Sequence, residues 1–532
     1  MNRSRRLLLL TLLIALAVRL WGINFGLPLA SARPDETQIA GPAVGYLGGN
    51  LEPPFFQWPA LFQYVVALAY VAFALVTRPF GGYATLAAFA ESRRQSLAVF
   101  LLIPRLLVVA LAVVTVWWLF NIGRRTFGAA VGHVAALFLA LAFLHVRDSH
   151  FGVTDVPMTS LVVLGVLLAL RWQEAPSLGR ALAAGLAAGL ATATKYNAIV
   201  VCAAFVAAWV EQMTARGALD RVRPRGLALA LPAYLAAVAA AFAAGAPYTL
   251  LRWDRFLADA GTVQATLAAG HGIVVGQGWL YFLTAVLPAA VGLPILAAAL
   301  AGTAVMLVTR FRAASSVLAF PLAYYLVAGR SSAVFARYIL PVVPFVCLAA
   351  AWFVVWAAQR LAESRPQWRD GVIAIAAVLM VMPTARTTML FDRLMSRTDN
   401  RVIVSRELAQ IIPAGSTLYQ SGESYGQVPL GLDGAAMDVH QRTFDRNADR
   451  FEPTEPEWVL LQRSPLRLYS AVPPAVEHIV GERYELQRTF LTGDSRSRGR
   501  LYDQQDAFFL PLTGLEGLER PGPSFELYRR RH

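Results

Sequence analysis

Charged residues are scarce in this sequence, and cysteine is almost absent. Only 15% of the 532 residues are Asp, Glu, Lys or Arg, whereas a soluble domain carries about a quarter. The two cysteines, Cys202 and Cys347, both lie inside apolar runs, so the pattern is neither a disulfide framework nor a paired-thiol motif. This composition excludes an ordinary soluble domain and a disulfide-stabilised secreted one.

Lysine occurs once, at Lys195, so arginine supplies nearly all of the formal net charge of +14. A strongly basic balance can indicate a nucleic-acid partner. Here, however, the arginines stand at the ends of apolar runs, where membrane topology places them. No nucleotide-binding loop, dinucleotide fingerprint, zinc-ligand cluster or Ser-His-Asp pattern is visible. We therefore expect membrane lipids as partners and no nucleic acid.

Long hydrophobic runs dominate what is present. The chain is 57% hydrophobic, and runs of about eighteen apolar residues can cross a hydrocarbon core of roughly 30 Å. The pattern predicts an all-α polytopic membrane protein with about eleven transmembrane helices. The predicted spans cover residues 7–29, 98–121, 130–147, 155–171, 180–194, 196–212, 227–247, 279–309, 314–328, 338–359 and 371–385. The span 279–309 contains Pro288 and Pro294, so we also consider that it is broken into two.

The composition changes after the last predicted span. Charged residues, proline and glycine become more frequent there, and no apolar run is long enough to cross a membrane. We predict two domains, a transmembrane domain over residues 1–385 and a C-terminal domain over residues 386–532. Val402–Leu408 has a helical pattern, and Trp458–Leu461 and Ser524–Tyr528 have the pattern of strands. The C-terminal domain is therefore predicted to be a small α/β domain.

Arginines at the predicted connections indicate the orientation of the chain. With the N-terminus inside, the inner connections hold thirteen basic residues, and the outer connections after the second span hold six. This distribution follows the positive-inside rule. One more apolar segment, Trp58–Val76, would invert the downstream topology if it crossed, so we predict that it lies in the outer interface. The C-terminal domain is then extracytoplasmic, and the protein is a multi-pass protein of the cell membrane.

Acidic side chains cluster at the outer ends of the predicted spans. Asp35 and Glu36 follow the first span, and Asp148 and Asp155 bracket a short connection. A carboxylate beside a membrane is expensive, so such residues are candidates for function. We expect these carboxylates to converge on one pocket at the outer face. That connection also contains two further candidates, Arg147 and His150.

Basic and aromatic candidates lie at other predicted outer turns. Lys195 and Tyr196 lie between the fifth and sixth spans, and Arg337 and Tyr338 precede the tenth. An ammonium or a guanidinium can bind phosphate, although snorkelling to the interface would also explain the lysine. His271 lies between two glycines in a predicted outer loop.

Taken together, these motifs resemble those of the GT-C superfamily of integral-membrane glycosyltransferases, in the branch that holds protein O-mannosyltransferases and the aminoarabinose transferase of lipid A. The resemblance covers residues 7–350, and it rests on the order and spacing of several short motifs. The matching stretches are Pro34-Asp35-Glu36, Pro53-Pro54-Phe55-Phe56-Gln57-Trp58-Pro59, Gly123-Arg124-Arg125-Thr126-Phe127-Gly128, His145-Val146-Arg147-Asp148-Ser149-His150 with Thr154-Asp155, Gly189 through Lys195-Tyr196-Asn197, and Arg337-Tyr338-Ile339-Leu340-Pro341.

The resemblance implies a polyprenyl-phosphate sugar as donor, an outer-face active site and inversion at the anomeric carbon. Asp35 would be the general base that deprotonates the acceptor hydroxyl of a protein, lipid or glycan, with Glu36 in support. The remaining candidates would line the pocket or hold the leaving phosphate. They are Arg147, Asp148, His150, Asp155, Lys195, Tyr196, His271, Arg337 and Tyr338.

A divalent cation is a possible cofactor, with Asp35, Asp148 and Asp155 as its candidate ligands. One departure from the branch concerns the sugar. Aminoarabinose transferases carry a lysine near the start of the interfacial helix, where this chain has Gln57 and Trp58. That difference argues against an aminoarabinose donor and leaves hexoses, mannose among them, open.

Two other functions compete with this interpretation. A membrane transporter or lipid flippase would place charged residues and broken helices at mid-membrane and often has internal repeats, and no repeat is visible here. An oligosaccharide transferase shares the general architecture but takes its glycan from a lipid diphosphate.

Overall fold

The structure is a computed structural model that describes residues 3–94, 97–214, 224–432, 435–494 and 499–531. The chain divides into two compact units. The membrane unit comprises Met1–Leu20 and Gln38–Met389, and the C-terminal unit comprises Trp21–Thr37 and Leu390–His532. The short segment after the first helix thus belongs to the same unit as the C-terminal residues, an assignment that the sequence did not indicate.

Helices build the membrane unit. The α-helices of the chain up to residue 395 are Arg3–Leu20, Pro34–Gly45, Leu61–Thr77, Leu86–Glu91, Leu97–Thr126, Ala129–Leu141, Phe143–Asp148, Asp155–Glu174, Leu178–Thr194, Cys202–Thr214, Pro224–Gly245, Pro247–Leu251, Trp253–Ala269, Gly278–Tyr281, Leu287–Val291, Leu293–Thr309, Phe311–Ala328, Val343–Leu361 and Arg369–Met395. Short 3₁₀ turns include Ala30–Ala32, Tyr46–Gly48, Arg78–Phe80, Ser92–Arg94, Tyr196–Val201, Ala336–Val342 and Pro366–Trp368, and Phe282–Val286 is a π-helical turn.

The apolar helices make this a multi-pass membrane protein. Among the described residues, seven helices are long and apolar enough to cross a membrane, or up to eight if one bent pair is a single span. The predicted count of eleven is not confirmed by these lengths. Several predicted spans correspond to shorter apolar helices, such as Ala129–Leu141 and Leu178–Thr194.

Backbone breaks account for the differences between the predicted and observed spans. The predicted span 7–29 is a helix only to Leu20, and the predicted span 130–147 is interrupted at Ala142, whose ψ of 113° is extended. The predicted span 279–309 is broken, because its two helical parts meet at an angle of 119°. The bend falls at Gly292, whose φ of 81° suits glycine, and Pro294 follows.

The segment predicted to lie in the outer interface is a helix, Leu61–Thr77. Together with the turn to Phe80, it is one of the seven helices that could cross by length and composition. Its interfacial placement therefore stays a prediction. Near its start, buried Gln63 accepts a hydrogen bond from the Tyr46 hydroxyl at 2.7 Å, which fixes this helix to the turn that precedes it.

Two glycines let helix Leu178–Thr194 approach helix Pro224–Gly245 closely. A Cβ atom at Gly185 would lie 2.3 Å from the carbonyl oxygen of Tyr234, and one at Gly189 would lie 2.4 Å from that of Val238. Small residues at this spacing are a common device for packing membrane helices. This contact also positions the end of the helix that precedes Lys195.

The C-terminal unit is organised around a mixed five-stranded sheet, as the α/β prediction required. Its strands, in spatial order, are Val439–Gln441, Ser416–Gln420, Trp458–Arg463, Ser524–Arg530 and Tyr484–Phe490. The first three are parallel, and the last two add antiparallel pairs. Small two-stranded pairs are Gly431–Leu432 with Ala435–Ala436 and Thr443–Asp445 with Arg450–Glu452.

Alternate residues of the central strands fill a core on each face of the sheet. Leu418, Leu460 and Leu527 belong to one buried cluster, together with Val404 and Leu408 from helix Asn400–Ile411. Residues of the opposite parity belong to the second cluster, with helix Pro474–Arg483, and this cluster contains Tyr419, Val459, Leu461, Val476 and Val480. Helix Arg467–Ser470 completes the unit. The predicted helix and both predicted strands are confirmed.

Candidate functional site

An ion pair between Lys195 and Asp155 lies at the centre of the candidate site in the membrane unit. Lys195 Nζ donates to Asp155 Oδ1 at 2.6 Å, and only 4% of the Asp155 side chain is exposed. The same ammonium lies 4.9 Å from the centroid of the Tyr338 ring. Asp155 occupies the first turn of helix Asp155–Glu174, which begins where the predicted span 155–171 begins, and a carboxylate there complements the helix dipole.

A second cation adjoins this pair. The guanidinium of Arg337 lies 4.3 Å from the ring centroid of Phe335 and 5.9 Å from that of Tyr338. Asp155, Lys195, Arg337 and Tyr338 form the group that we call the Lys195 cluster. His271 adjoins it, because its ring lies 5.1 Å from that of Phe335. The sequence had selected all of these residues except Phe335.

The candidates Arg147, Asp148 and His150 are enclosed in protein rather than exposed in a loop. Arg147 and Asp148 end helix Phe143–Asp148 and form a buried ion pair of 2.8 Å. His150 is fully buried, and its Nδ1 lies 2.9 Å from the carbonyl oxygen of Val146. The break at Ala142 produces the short second helix that carries Arg147 and Asp148. That helix packs against the turn that carries Arg337.

The Tyr196 side chain contacts residues outside the Lys195 cluster. Its hydroxyl lies 3.4 Å from that of Thr249, and its ring lies 5.4 Å from that of Phe256, in helix Trp253–Ala269. None of its contacts described here is with the Lys195 cluster. The next residue, Asn197, donates from its side chain to the Tyr324 hydroxyl at 2.7 Å.

Asn197 is a candidate that the sequence argument did not select, although it lies in the same Lys-Tyr-Asn motif. Among the described residues, its buried Oδ1 has no hydrogen-bond partner. A buried carbonyl oxygen normally accepts a hydrogen bond, so this unsatisfied atom makes Asn197 a candidate. Its position two residues after Lys195 was the signal in the sequence.

Asp35 and Glu36 lie in the C-terminal unit, in the first turn of helix Pro34–Gly45. They do not directly follow the membrane helix, which ends at Leu20, and they are not in a loop. Glu36 is fully buried, whereas 34% of the Asp35 side chain is exposed. Of the two carboxylates, Asp35 is therefore the one accessible to an acceptor. Its convergence with Asp148 and Asp155 in one pocket stays a prediction.

Arg33 holds the start of this helix and was missed by the sequence argument. Its Nη1 donates to Asp506 Oδ1 at 2.6 Å, and its Nη2 lies 3.9 Å from Asp35 Oδ2. The guanidinium also lies 5.5 Å from the ring centroid of Phe508. No local pattern connects Arg33 to Asp506, because the two residues are 473 positions apart.

A metal site would require several His, Cys, Asp or Glu side chains close together. Within the described ranges, no set of three or more His, Cys, Asp or Glu side chains could hold a metal ion. A divalent cation at Asp35, Asp148 or Asp155 stays a prediction.

Known proteins provide an independent comparison. Residues 99–242 match the family model of the dolichyl-phosphate-mannose-protein mannosyltransferases. No curated protein matches the sequence at a significant level.

Solved structures resemble the whole chain. The ArnT protein of Cupriavidus metallidurans, bound to undecaprenyl phosphate, has a TM-score of 0.53 at 14% identity over 98% of this chain and 97% of that one. The archaeal oligosaccharyltransferase AglB of Archaeoglobus fulgidus, in complex with an inhibitory peptide and a dolichol-phosphate, has a TM-score of 0.52 at 12% identity. That likeness covers 80% of this chain but only 62% of the archaeal protein.

The helical membrane unit, the small sheet domain and these comparisons define the class of the protein. It is a multi-pass membrane protein that shares its fold with these solved glycosyltransferase structures. Its residues 99–242 are similar to the mannosyltransferase model named above, in agreement with the resemblance that the motifs indicated.

Proposed function

We propose that this protein transfers one sugar from a polyprenyl-phosphate donor to an acceptor hydroxyl of a protein, lipid or glycan. The sugar is a hexose, with mannose as the first candidate. The family model over residues 99–242 and the fold shared with ArnT bound to undecaprenyl phosphate support this proposal.

The Lys195 cluster is the observation that carries the proposal. It places an ammonium 4.9 Å and a guanidinium 5.9 Å from the centroid of the Tyr338 ring, with one carboxylate, Asp155, paired to the lysine. A departing phosphate monoester needs positive charge for stabilisation and needs no proton donor. Lys195 and Arg337 are suited to that role.

In the proposed reaction, Asp35 removes the proton of the acceptor hydroxyl while its oxygen attacks the anomeric carbon. The new glycosidic bond forms as the bond between that carbon and the phosphate oxygen breaks. The bonding pair leaves with the polyprenyl phosphate, and the anomeric configuration inverts. One carboxylate base is enough, unlike the hydrolysis of an ordinary glycoside, where two carboxylates share the acid and base roles.

We further propose that the reaction occurs at the outer face of the cell membrane, where the positive-inside threading places the C-terminal unit. Lys195 and Arg337 stand at predicted outer turns. The basic residues at the inner connections, such as Arg124, Arg125 and Arg171, support this orientation.

Donor specificity tests the proposal. Purified protein in nanodiscs is given, in parallel, polyprenyl monophosphate mannose or glucose, a polyprenyl diphosphate sugar and a nucleotide sugar. The readout is release of each donor's own carrier, which is polyprenyl phosphate, polyprenyl diphosphate or the nucleotide. We expect turnover with a monophosphate donor and none with the nucleotide sugar. Robust turnover with the nucleotide sugar alone would refute the assignment.

The second candidate function is transfer of an oligosaccharide from a lipid diphosphate. The fold shared with AglB favours it. Turnover with the diphosphate donor and none with either monophosphate would select this alternative. A transporter or flippase would move labelled lipid across the bilayer without releasing polyprenyl phosphate in any of these reactions.

A further inference from the structure

The ion pair between Arg33 and Asp506 joins two distant stretches of the C-terminal unit. Both side chains are buried, and Phe508 supports the pair from one side through its contact with the guanidinium. The Phe508 ring also contacts that of Phe25, with centroids 5.6 Å apart. Residues 506–508 therefore hold both ends of the segment that leads to Asp35.

Arg33 also fixes the backbone at the beginning of the helix. Its carbonyl oxygen accepts a hydrogen bond from the Glu36 amide at 3.1 Å. Asp35 lies inside that same turn, so its backbone position depends on where Arg33 is held. An anchor on the Arg33 side chain is therefore an anchor on Asp35.

Packing alone does not explain why this anchor is charged. A buried ion pair often stabilises a protein no more than an apolar pair of the same volume. This one keeps a guanidinium within 3.9 Å of Asp35, while Asp506 holds it at 2.6 Å. A guanidinium that paired closely with Asp35 would stabilise its anionic form and make it a poorer base.

We propose that Asp506 is a positioning residue for the transfer reaction, acting through Arg33. It holds the Arg33 side chain and thereby the first turn of helix Pro34–Gly45, in which Asp35 lies. This inference rests on the proposed function, in which Asp35 is the base. Asp506 thereby affects the reaction without touching the substrate.

The test compares Asp506→Asn, which keeps the shape and removes the charge, with Asp506→Glu, which keeps the charge. Single-turnover transfer and donor affinity are measured in the full-length protein. We expect Asp506→Asn to slow transfer on the order of 10- to 100-fold, the cost of a small misplacement, with donor affinity unchanged.

Asp506→Glu should recover most of the rate. Rates are expressed per molecule of protein that binds the donor, so they remain informative if a variant is destabilised. Glu477→Gln is the matched control, since it also removes a carboxylate from an arginine pair, that with Arg463, in the same unit. It should change neither the rate nor the donor affinity.

A further variant separates the positioning role of Asp506 from the proposed function. The double variant Asp35→Asn/Asp506→Asn should be no slower than Asp35→Asn, because residues that act as a unit are not additive. If Asp35→Asn is inactive while Asp506→Asn keeps the wild-type rate, the inference is overturned and the proposed function stands. A double variant much slower than Asp35→Asn also overturns it, since Asp506 would then act independently of Asp35. If the wild-type protein uses no lipid-linked sugar, the proposed function itself fails.

Discussion

Lys195 Nζ lies 2.6 Å from Asp155 Oδ1, and the same ammonium lies 4.9 Å from the ring centroid of Tyr338. The one lysine of the chain is therefore already paired. A donor phosphate at this position would share the ammonium with Asp155, and Tyr338 would keep it oriented.

Replacing Lys195 by alanine should weaken donor binding more than acceptor binding. A charge-assisted hydrogen bond is worth about 1.5–3 kcal/mol, which corresponds to about 10- to 100-fold in the dissociation constant of the donor. The change also leaves Asp155 buried beside the phosphate. Restoring part of the affinity with Lys195→Ala/Asp155→Asn would confirm that repulsion. If the donor affinity of Lys195→Ala is unchanged, Lys195 does not bind the donor phosphate, and its ammonium only extends to the membrane interface. Titration of the donor into each variant in nanodiscs measures these donor affinities.

Replacing Gly189 by alanine should destabilise the membrane unit. The new Cβ would lie 2.4 Å from the Val238 carbonyl oxygen, so the two helices must separate, and overpacking of this kind costs about 1–3 kcal/mol. Gly179→Ala is the matched control, because Gly179 is in the same helix and a Cβ there meets nothing within 4 Å. The midpoint of thermal unfolding in detergent should fall for the first and not for the second. Equal midpoints would show that this helix contact is not tight.

The helix Leu61–Thr77 can be placed by labelling on both sides of it. In a variant without Cys202 and Cys347, single cysteines replace Leu51 or Phe80, both of which are exposed. An impermeant maleimide should reach both from outside, and it should not reach a cysteine at Gly179, which we predict to be inside. Labelling of positions 51 and 80 from opposite sides would show that the helix crosses.

The ion pairs of Glu52 with Arg252 and Arg255 should persist to unusually low pH. Hydrogen bonding to Arg252 first, then the charges of Arg252 and Arg255, lower the pKa of Glu52 below its ordinary value. The ion pairs are therefore fully formed when the pH is above the ordinary pKa of a glutamate. They are lost only as the pH falls through the lowered pKa of Glu52. Hydrogen exchange of residues 51–59, corrected for intrinsic rates, should show protection that persists below pH 4.5. Glu52→Gln should remove the pH dependence, and loss of protection already above that pH would contradict the assignment.

The sequence predicted the class and most helices because hydrophobic periodicity and arginine placement are local properties. It misplaced helix ends where no local signal marks them. The break at Ala142 has neither proline nor glycine beside it, and the packing of helix Phe143–Asp148 decides it. At Gly292, by contrast, glycine and a neighbouring proline gave a signal, and the suspected break is present.

Candidate residues could be selected from the sequence, but the ion pairs that they form could not. Lys195 and Asp155 were both selected, yet their ion pair across forty positions has no sequence signature. Arg33 stands next to the selected Pro-Asp-Glu motif, but its partner Asp506 lies at the opposite end of the chain. Such pairs are set by tertiary structure, which periodicity and motif spacing do not determine.

The most direct test of the account is single-turnover transfer from a polyprenyl monophosphate sugar by Asp35→Asn. This change is nearly isosteric and keeps hydrogen bonding, so expression and donor binding should remain, while the loss of a positioned base should lower the rate about 10²- to 10⁴-fold. Glu36→Gln should cost less, because Glu36 is enclosed whereas Asp35 is partly exposed. A wild-type rate for Asp35→Asn, under conditions where chemistry limits turnover, would contradict the account.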